Sequence, residues 1–134
     1  MLPSVCIIDL PTDLPTSVAA EVHKASALVW LDPPAAVTRL RTAAERLMDE
    51  QMVSGGNLHR RLEMFRAIQP EAAELLLATK YVGNESTHQA STMTAEDALD
   101  IAEMVEVALG TVYSPNTRLR ERASRIITAK GLVA

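Results

Sequence analysis

The chain has a single cysteine, Cys6, and therefore no internal disulfide to hold its fold. One thiol also excludes any cysteine-based metal spacing, and it predicts a reducing, cytoplasmic setting. Aromatic residues are nearly missing: one Phe, one Trp and two Tyr leave few rings on which bases could stack. No apolar run approaches the roughly 18 residues that cross a bilayer, so no membrane partner is expected. The N-terminus lacks the basic start and long apolar stretch of a signal peptide. Missing as well are a glycine loop that cradles phosphate, a nucleophile elbow, an internal repeat and any convincing strand alternation. No cofactor is expected. A net charge of -4 argues against wrapping nucleic acid over the whole surface, although it permits a local basic patch.

What is present is a helix-forming alphabet. Apolar residues make up 48% of the 134 positions, and Ala, Leu, Val and Met dominate them. Such side chains lose little rotamer freedom in a helix, and this length suffices for one core without staples. Residues 1–15 read as an extended arm, because prolines at 3, 11 and 15 forbid regular helix. Val5, Cys6, Ile7 and Ile8 are then free to lie against an apolar surface. Residues 16–134 read as one helical domain.

The periodicity predicts a first helix over about 17–31, with Val18, Val22, Ala25 and Val29 at core spacing. Asp32-Pro33 restarts the chain, with an acceptor at the N-cap and proline at the first helical position. The second helix carries Val37, Leu40, Ala44, Leu47 and Met48 until Gly55-Gly56 breaks it. Asn57 caps a third helix with Leu58, Leu62 and Phe65, and Pro70 opens a fourth with Ala72, Leu75, Leu76 and Thr79. Thr94 and Asp97 form a capping-box variant before a fifth helix. Its stripe of Ala98, Ile101, Ala102, Val105, Ala108, Leu109 and Val112 has the cleanest period in the chain. A sixth helix runs from about Thr117 to Lys130, with Leu119, Ala123, Ile126 and Ile127, and Gly131 stops it. The expectation is an all-α, compact bundle of about five to six helices.

Charge is segregated. Between Tyr81 and Thr117 there is no Lys or Arg, while Glu85, Glu96, Asp97, Asp100, Glu103 and Glu106 are acidic. The last helix reverses the sign with Arg118, Arg120, Arg122, Arg125 and Lys130. One reading makes these two adjacent helices whose solvated faces attract each other. The other makes Arg118, Arg122 and Arg125, which share a helical face, a contact for nucleic acid or a protein partner.

Few constellations can do chemistry. His23, His59 and His88 fall on different predicted helices or their ends, so no metal site is expected. His59 to Glu63, "HRRLE", reads as a solvated face with Glu63 near Arg60 or Arg66. Arg41 and Glu45, four apart, either pair at the surface or present a part-buried Arg41 to polar groups of the fourth helix. The stretch "KYVGNESTH", residues 80–88, would stack Lys80, Asn84 and His88 on one helical face. Gly83-Asn84 is also a pair that commonly ends helices, in which case His88 would open a loop.

From about Leu14 to Gly131 the chain resembles the bacterial domain-of-unknown-function family 4145. The segments "DPPAAVTRLRTAAERLMDE", "LHRRLEMF", "KYVGNESTH" and "TAEDALDIAEMVEVALGTVY" carry the likeness in order and spacing. Its most specific parts are Gly83, Asn84 and His88 after a cation, with Arg41 and Glu45 upstream. Many members look like a zinc ribbon followed by a helical domain. This chain has no ribbon cysteines and resembles the helical part alone, as a short natural form or a trimmed one.

The family in turn looks related to the HEPN superfamily, helical bundles that commonly form homodimers. Active HEPN ribonucleases carry Arg, a polar residue, three further residues and His, and they cleave RNA without metal. The resemblance maps the polar residue to Asn84 and the histidine to His88, and it sets Gly83 where the arginine would stand. Imidazole can move a proton while a guanidinium steadies the phosphate. Gly83 removes the bidentate group, and Lys80 one turn earlier supplies only a point charge. The resemblance therefore implies a degenerate active site formed by Lys80, Asn84 and His88, with Arg41, Glu45 and Gly83 as a structural polar network.

Three functions follow as expectations. The first is a non-catalytic, homodimeric interaction module with a possible protein partner, accessory to a restriction or antiviral-defence system. The second is a metal-independent endoribonuclease or toxin built on His88, Asn84 and Lys80. The third is an RNA- or nucleotide-binding domain that does not cut, using Arg118, Arg122 and Arg125.

Overall fold

The computed structural model describes residues 9–88 and 93–131, with side chains for all of these except 80–88, 115–118 and 131. Among the described residues the chain forms six α-helices and no strand: α1 (Thr16–Leu28), α2 (Pro33–Glu50), α3 (Leu58–Phe65), α4 (Pro70–His88), α5 (Ala95–Val112) and α6 (Pro115–Gly131). No helix of the described residues is long and apolar enough to cross a membrane.

The caps read from sequence are in place. The Asp32 carboxylate accepts from the Ala35 N–H at 3.3 Å, with proline at the start of α2. Asn57 accepts from the Arg60 N–H at 2.9 Å and starts α3. Thr94 and Asp97 each accept from the other's backbone N–H, at 3.1 and 3.0 Å. Each such cap satisfies a donor that the first helical turn leaves without an internal partner.

Three boundaries differ from the sequence reading. α1 stops at Leu28 rather than near Leu31, and the Leu31 and Asp32 N–H groups both turn back to the Leu28 carbonyl at 3.1 and 2.7 Å. The residue before a proline is driven out of the helical region, and Asp32 is extended there at φ -152°. α6 begins at Pro115, which needs no N–H in a first turn.

α2 ends at Glu50, well before the two glycines. The Val53 N–H reaches the Met48 carbonyl at 2.9 Å and the Met52 N–H reaches that of Asp49 at 3.1 Å. Those two bonds make a Schellman turn, whose left-handed position is normally glycine. Here Met52 occupies it at φ 59°.

α2 is the hub of the core and packs on α1, α3, α4 and α5. Val18, Val22, Ala25 and Val29 meet Val37, Leu40, Ala44, Leu47 and Met48, all buried. Phe65 and Leu62 from α3, Leu76 from α4, and Ile101, Val105 and Leu109 from α5 complete the same cluster. Full burial of one such side chain contributes about 1.5–3 kcal/mol, so small aliphatic side chains assemble this core with a single phenylalanine. The described part of the arm also belongs to it. Leu10 and Leu14 pack on the cluster, and the Asp9 N–H donates to Glu106 Oε2 at 3.2 Å. Val5, Cys6, Ile7 and Ile8 lie outside the described residues.

α6 stands apart. Among the described residues it has no extended packing on any of the other five helices, and every described side chain from Leu119 to Lys130 is exposed. Leu119, Ile126 and Ile127 are 60%, 53% and 69% exposed. The stripe that the sequence reading shared out to a sixth bundle helix thus stays in water, because α1 to α5 already close the core.

Candidate functional site

Helix α4 carries the first candidate. It runs without interruption from Pro70 to His88, through Gly83 and Asn84. The Gly83-Asn84 pair is therefore not a helix terminus, and His88 does not open a loop. Ala72, Ala73, Leu76 and Leu77 anchor the first half of α4 in the core. Thr79 is buried and donates to the Leu75 carbonyl at 3.1 Å. An unbroken helix puts positions 80, 84 and 88 in one column, about one turn apart. The side chains of Lys80, Gly83, Asn84 and His88 themselves lie outside those described.

Arg41 and Glu45 stand one turn apart on α2, the helix that packs on α4. Both are half-buried. Among the described residues no ion pair joins them. The surface-pair reading of Arg41 and Glu45 is thus replaced by a part-buried arginine. The buried acid of the α1–α2 layer is instead Glu21, which Lys24 and Arg39 each approach at 3.4 Å.

Around His59 the solvated face is as read. Glu63 lies 3.9 Å from both His59 and Arg66. Among the described residues no three His, Cys, Asp or Glu side chains gather as a metal-ligand set.

A second candidate has no signature in sequence spacing, because its residues come from separate parts of the chain. Gln51 at the end of α2 donates its amide to the Tyr113 hydroxyl at 3.1 Å. Together with Asp13, Gln69, Ser114 and Glu121 they line a pocket of about 390 Å³. Burial pushes the Tyr113 phenol up from its ordinary 10.0, and the Gln51 hydrogen bond only partly offsets it. The phenol is therefore protonated at neutral pH and can donate into the pocket. Two carboxylates and two amides make it a hydrogen-bonding pocket of acidic character.

The third candidate is α6. Arg120, Arg122 and Arg125 are exposed, and register places Arg118 on the face of Arg122 and Arg125, four and seven residues earlier. Among the described residues no ion pair joins an α6 cation to an α5 acid. Arg120 of α6 shares a groove with Val107, Gly110 and Thr111 of α5.

A family model for a domain of unknown function, DUF4145, matches residues 23–129, which covers most of the chain. No curated protein and no solved structure matches it. The chain belongs to the DUF4145 family.

Proposed function

We propose that this DUF4145 domain is a non-catalytic interaction module of HEPN-like build, working as a homodimer and accessory to a prokaryotic restriction or antiviral-defence system. The observation that carries the reading is α6, which keeps Leu119, Ile126 and Ile127 in water on a helix that adds nothing to the core. A contiguous exposed apolar surface on a small soluble domain marks a contact surface. The HEPN part of the reading rests on the resemblance of the Lys80, Gly83, Asn84 and His88 pattern. Glycine at position 83 weighs against catalysis, since losing one preorganised donor lowers a rate by about a hundredfold or more. No metal or cofactor is part of the reading.

One observation favours a second reading. α4 stays helical to His88, so Lys80, Asn84 and His88 keep the one-column register that a metal-independent endoribonuclease would need. Exposed Arg122 and Arg125, with Arg118, would serve RNA or nucleotide binding without cleavage.

The test is a metal-free RNA digestion with the wild-type protein beside folded His88→Ala. Intact RNA in both lanes supports the interaction module. Cleavage leaving a cyclic phosphate, lost in the variant, would replace the module with the ribonuclease.

A further inference from the structure

α6 presents an apolar stripe rimmed by cations. At 100° per residue, Leu119, Ala123 and Ile126 fall within one narrow sector with Lys130, and Ile127 borders it. Arg120 and Arg122 flank the stripe on either side, while Glu121 and Thr128 lie on the opposite side. All of these side chains are exposed. The stripe runs from Leu119 to Lys130.

α5 presents a surface of matching length and opposite sign. Its exposed face is Glu96, Asp100, Glu103 and Val107, again at one-turn spacing and with no cation on the helix. Val107 is 56% exposed. It borders an open groove of about 590 Å³ with Ile68, Gly110 and Thr111 along it and Gln69, Glu71 and Arg120 on its rim. Ile68 is 66% exposed, and a Cβ built on Gly110 would meet nothing within 4 Å. α5 therefore has an acidic strip that ends at this groove, whose polar rim includes Glu71 and Arg120, and the described side chains of the strip are exposed.

We infer that the α6 stripe docks on the α5 face of a second copy of this chain, reciprocally, in a two-fold dimer. This rests on the interaction-module reading and names its partner. An antiparallel register brings Leu119 to Val107, Arg122 to Glu103 and Lys130 to Glu96, so one alignment satisfies both the apolar and the charged positions. Reciprocity makes the contact isologous and closed, and it leaves no stripe over for a third copy. Each protomer gives one helix stripe and one helix face, each about 17 by 10 Å by helix dimensions. That footprint is below the usual size of stable interfaces, so the dimer is weak and forms and parts with concentration. The acidic α5 strip excludes RNA from the same place, and opposite charge on α6 selects the copy's orientation.

The experiment mixes two single charge reversals, Arg122→Glu and Glu103→Arg, and reads mass by sedimentation over a wide concentration series. Helical content by circular dichroism confirms that each variant is folded. The wild type passes from one to two chain masses as concentration rises. Each variant alone faces like charge with like and dimerises about tenfold or more weakly. Their equimolar mixture returns to two masses, because both contacts of the mixed pair again join opposite charges. A wild type that stays at one mass overturns the inference, as do single variants that dimerise like the wild type. A mixture that remains at one mass also overturns it. RNA binding that Arg122→Glu abolishes, with no dimer at any concentration, assigns it to RNA. RNA cleavage lost in His88→Ala would end the non-catalytic reading without touching these masses, so the two failures are separable.

Discussion

Arg61 and Asp49 fasten the end of α2 to α3. The Arg61 Nη2 donates to the Asp49 carboxylate, while its Nε donates to the Val53 carbonyl at 2.7 Å. One guanidinium therefore holds both the last helical turn of α2 and the loop that follows it. Arg61→Ala is expected to lower stability by about 1–2 kcal/mol, since a charged hydrogen bond and the partner of a buried residue's carbonyl go together. Arg61→Lys recovers less than half of the loss, because an ammonium cannot fork between the two acceptors. Urea unfolding followed by circular dichroism checks both.

The same contact makes stability depend on acid. Hydrogen bonding from Arg61 holds the Asp49 carboxyl below its ordinary 3.8; desolvation opposes it, and the charges of Arg61 and Arg46 add to it. A depressed folded-state pKa gives stabilisation that is present above the unfolded value and is lost as pH falls through the folded one. Between about pH 5 and pH 3 the wild type should lose more stability than Asp49→Asn does. Parallel unfolding midpoints for the two proteins would show that the contact contributes nothing.

Met52 is a place where the chain can be improved. It takes the left-handed position of the Schellman turn at φ 59°, and its side chain is 90% exposed. Met52→Gly removes the steric cost of a Cβ in that conformation and gives up no burial. The gain is about 1 kcal/mol, reduced somewhat by glycine's freedom in the unfolded chain. A thermal midpoint raised by a few degrees is the expected reading.

Removing α6 should leave the core intact. A chain ending at Ser114 keeps every residue of the buried cluster. Its thermal midpoint should shift by no more than about 4 °C, which corresponds to less than about 1 kcal/mol for a domain of this size. A loss of cooperative unfolding would show that α6 supports the core in a way its exposed side chains do not suggest. Circular dichroism suits this measurement better than fluorescence, because Trp30 is already 70% exposed in the folded chain.

How far the sequence could be read follows from which interactions are local. The stripes of α1, α2, α3 and α5 were legible because a 3.6-residue period and a side chain one to three residues from a helix end are local facts. Asp32, Asn57 and Thr94 announce their caps for the same reason. The end of α2 is not marked by its glycines. The chain places a methionine in the left-handed position and spends Gly55 and Gly56 on later turns, at φ 125° and 88°. α6 has a period as good as some buried helices, and periodicity tells which face is apolar but not whether anything covers it. The Gln51–Tyr113 pocket was invisible for a different reason. Its residues are up to 108 positions apart, from Asp13 to Glu121, and no spacing rule connects them.

The pattern of helix packing also says how this chain reaches its structure. α1 lies chiefly on α2, and α4 chiefly on α5. Each of these pairs joins neighbours along the chain, so a large share of the core needs no long loop to close first. Domains built from such local contacts fold in microseconds to milliseconds. The α1–α2 hairpin can bury Val18, Val22, Leu40 and Leu47 while α4 and α5 are still being synthesised. A nascent chain can thus bury these side chains early, and the second hairpin arrives on a surface that already exists.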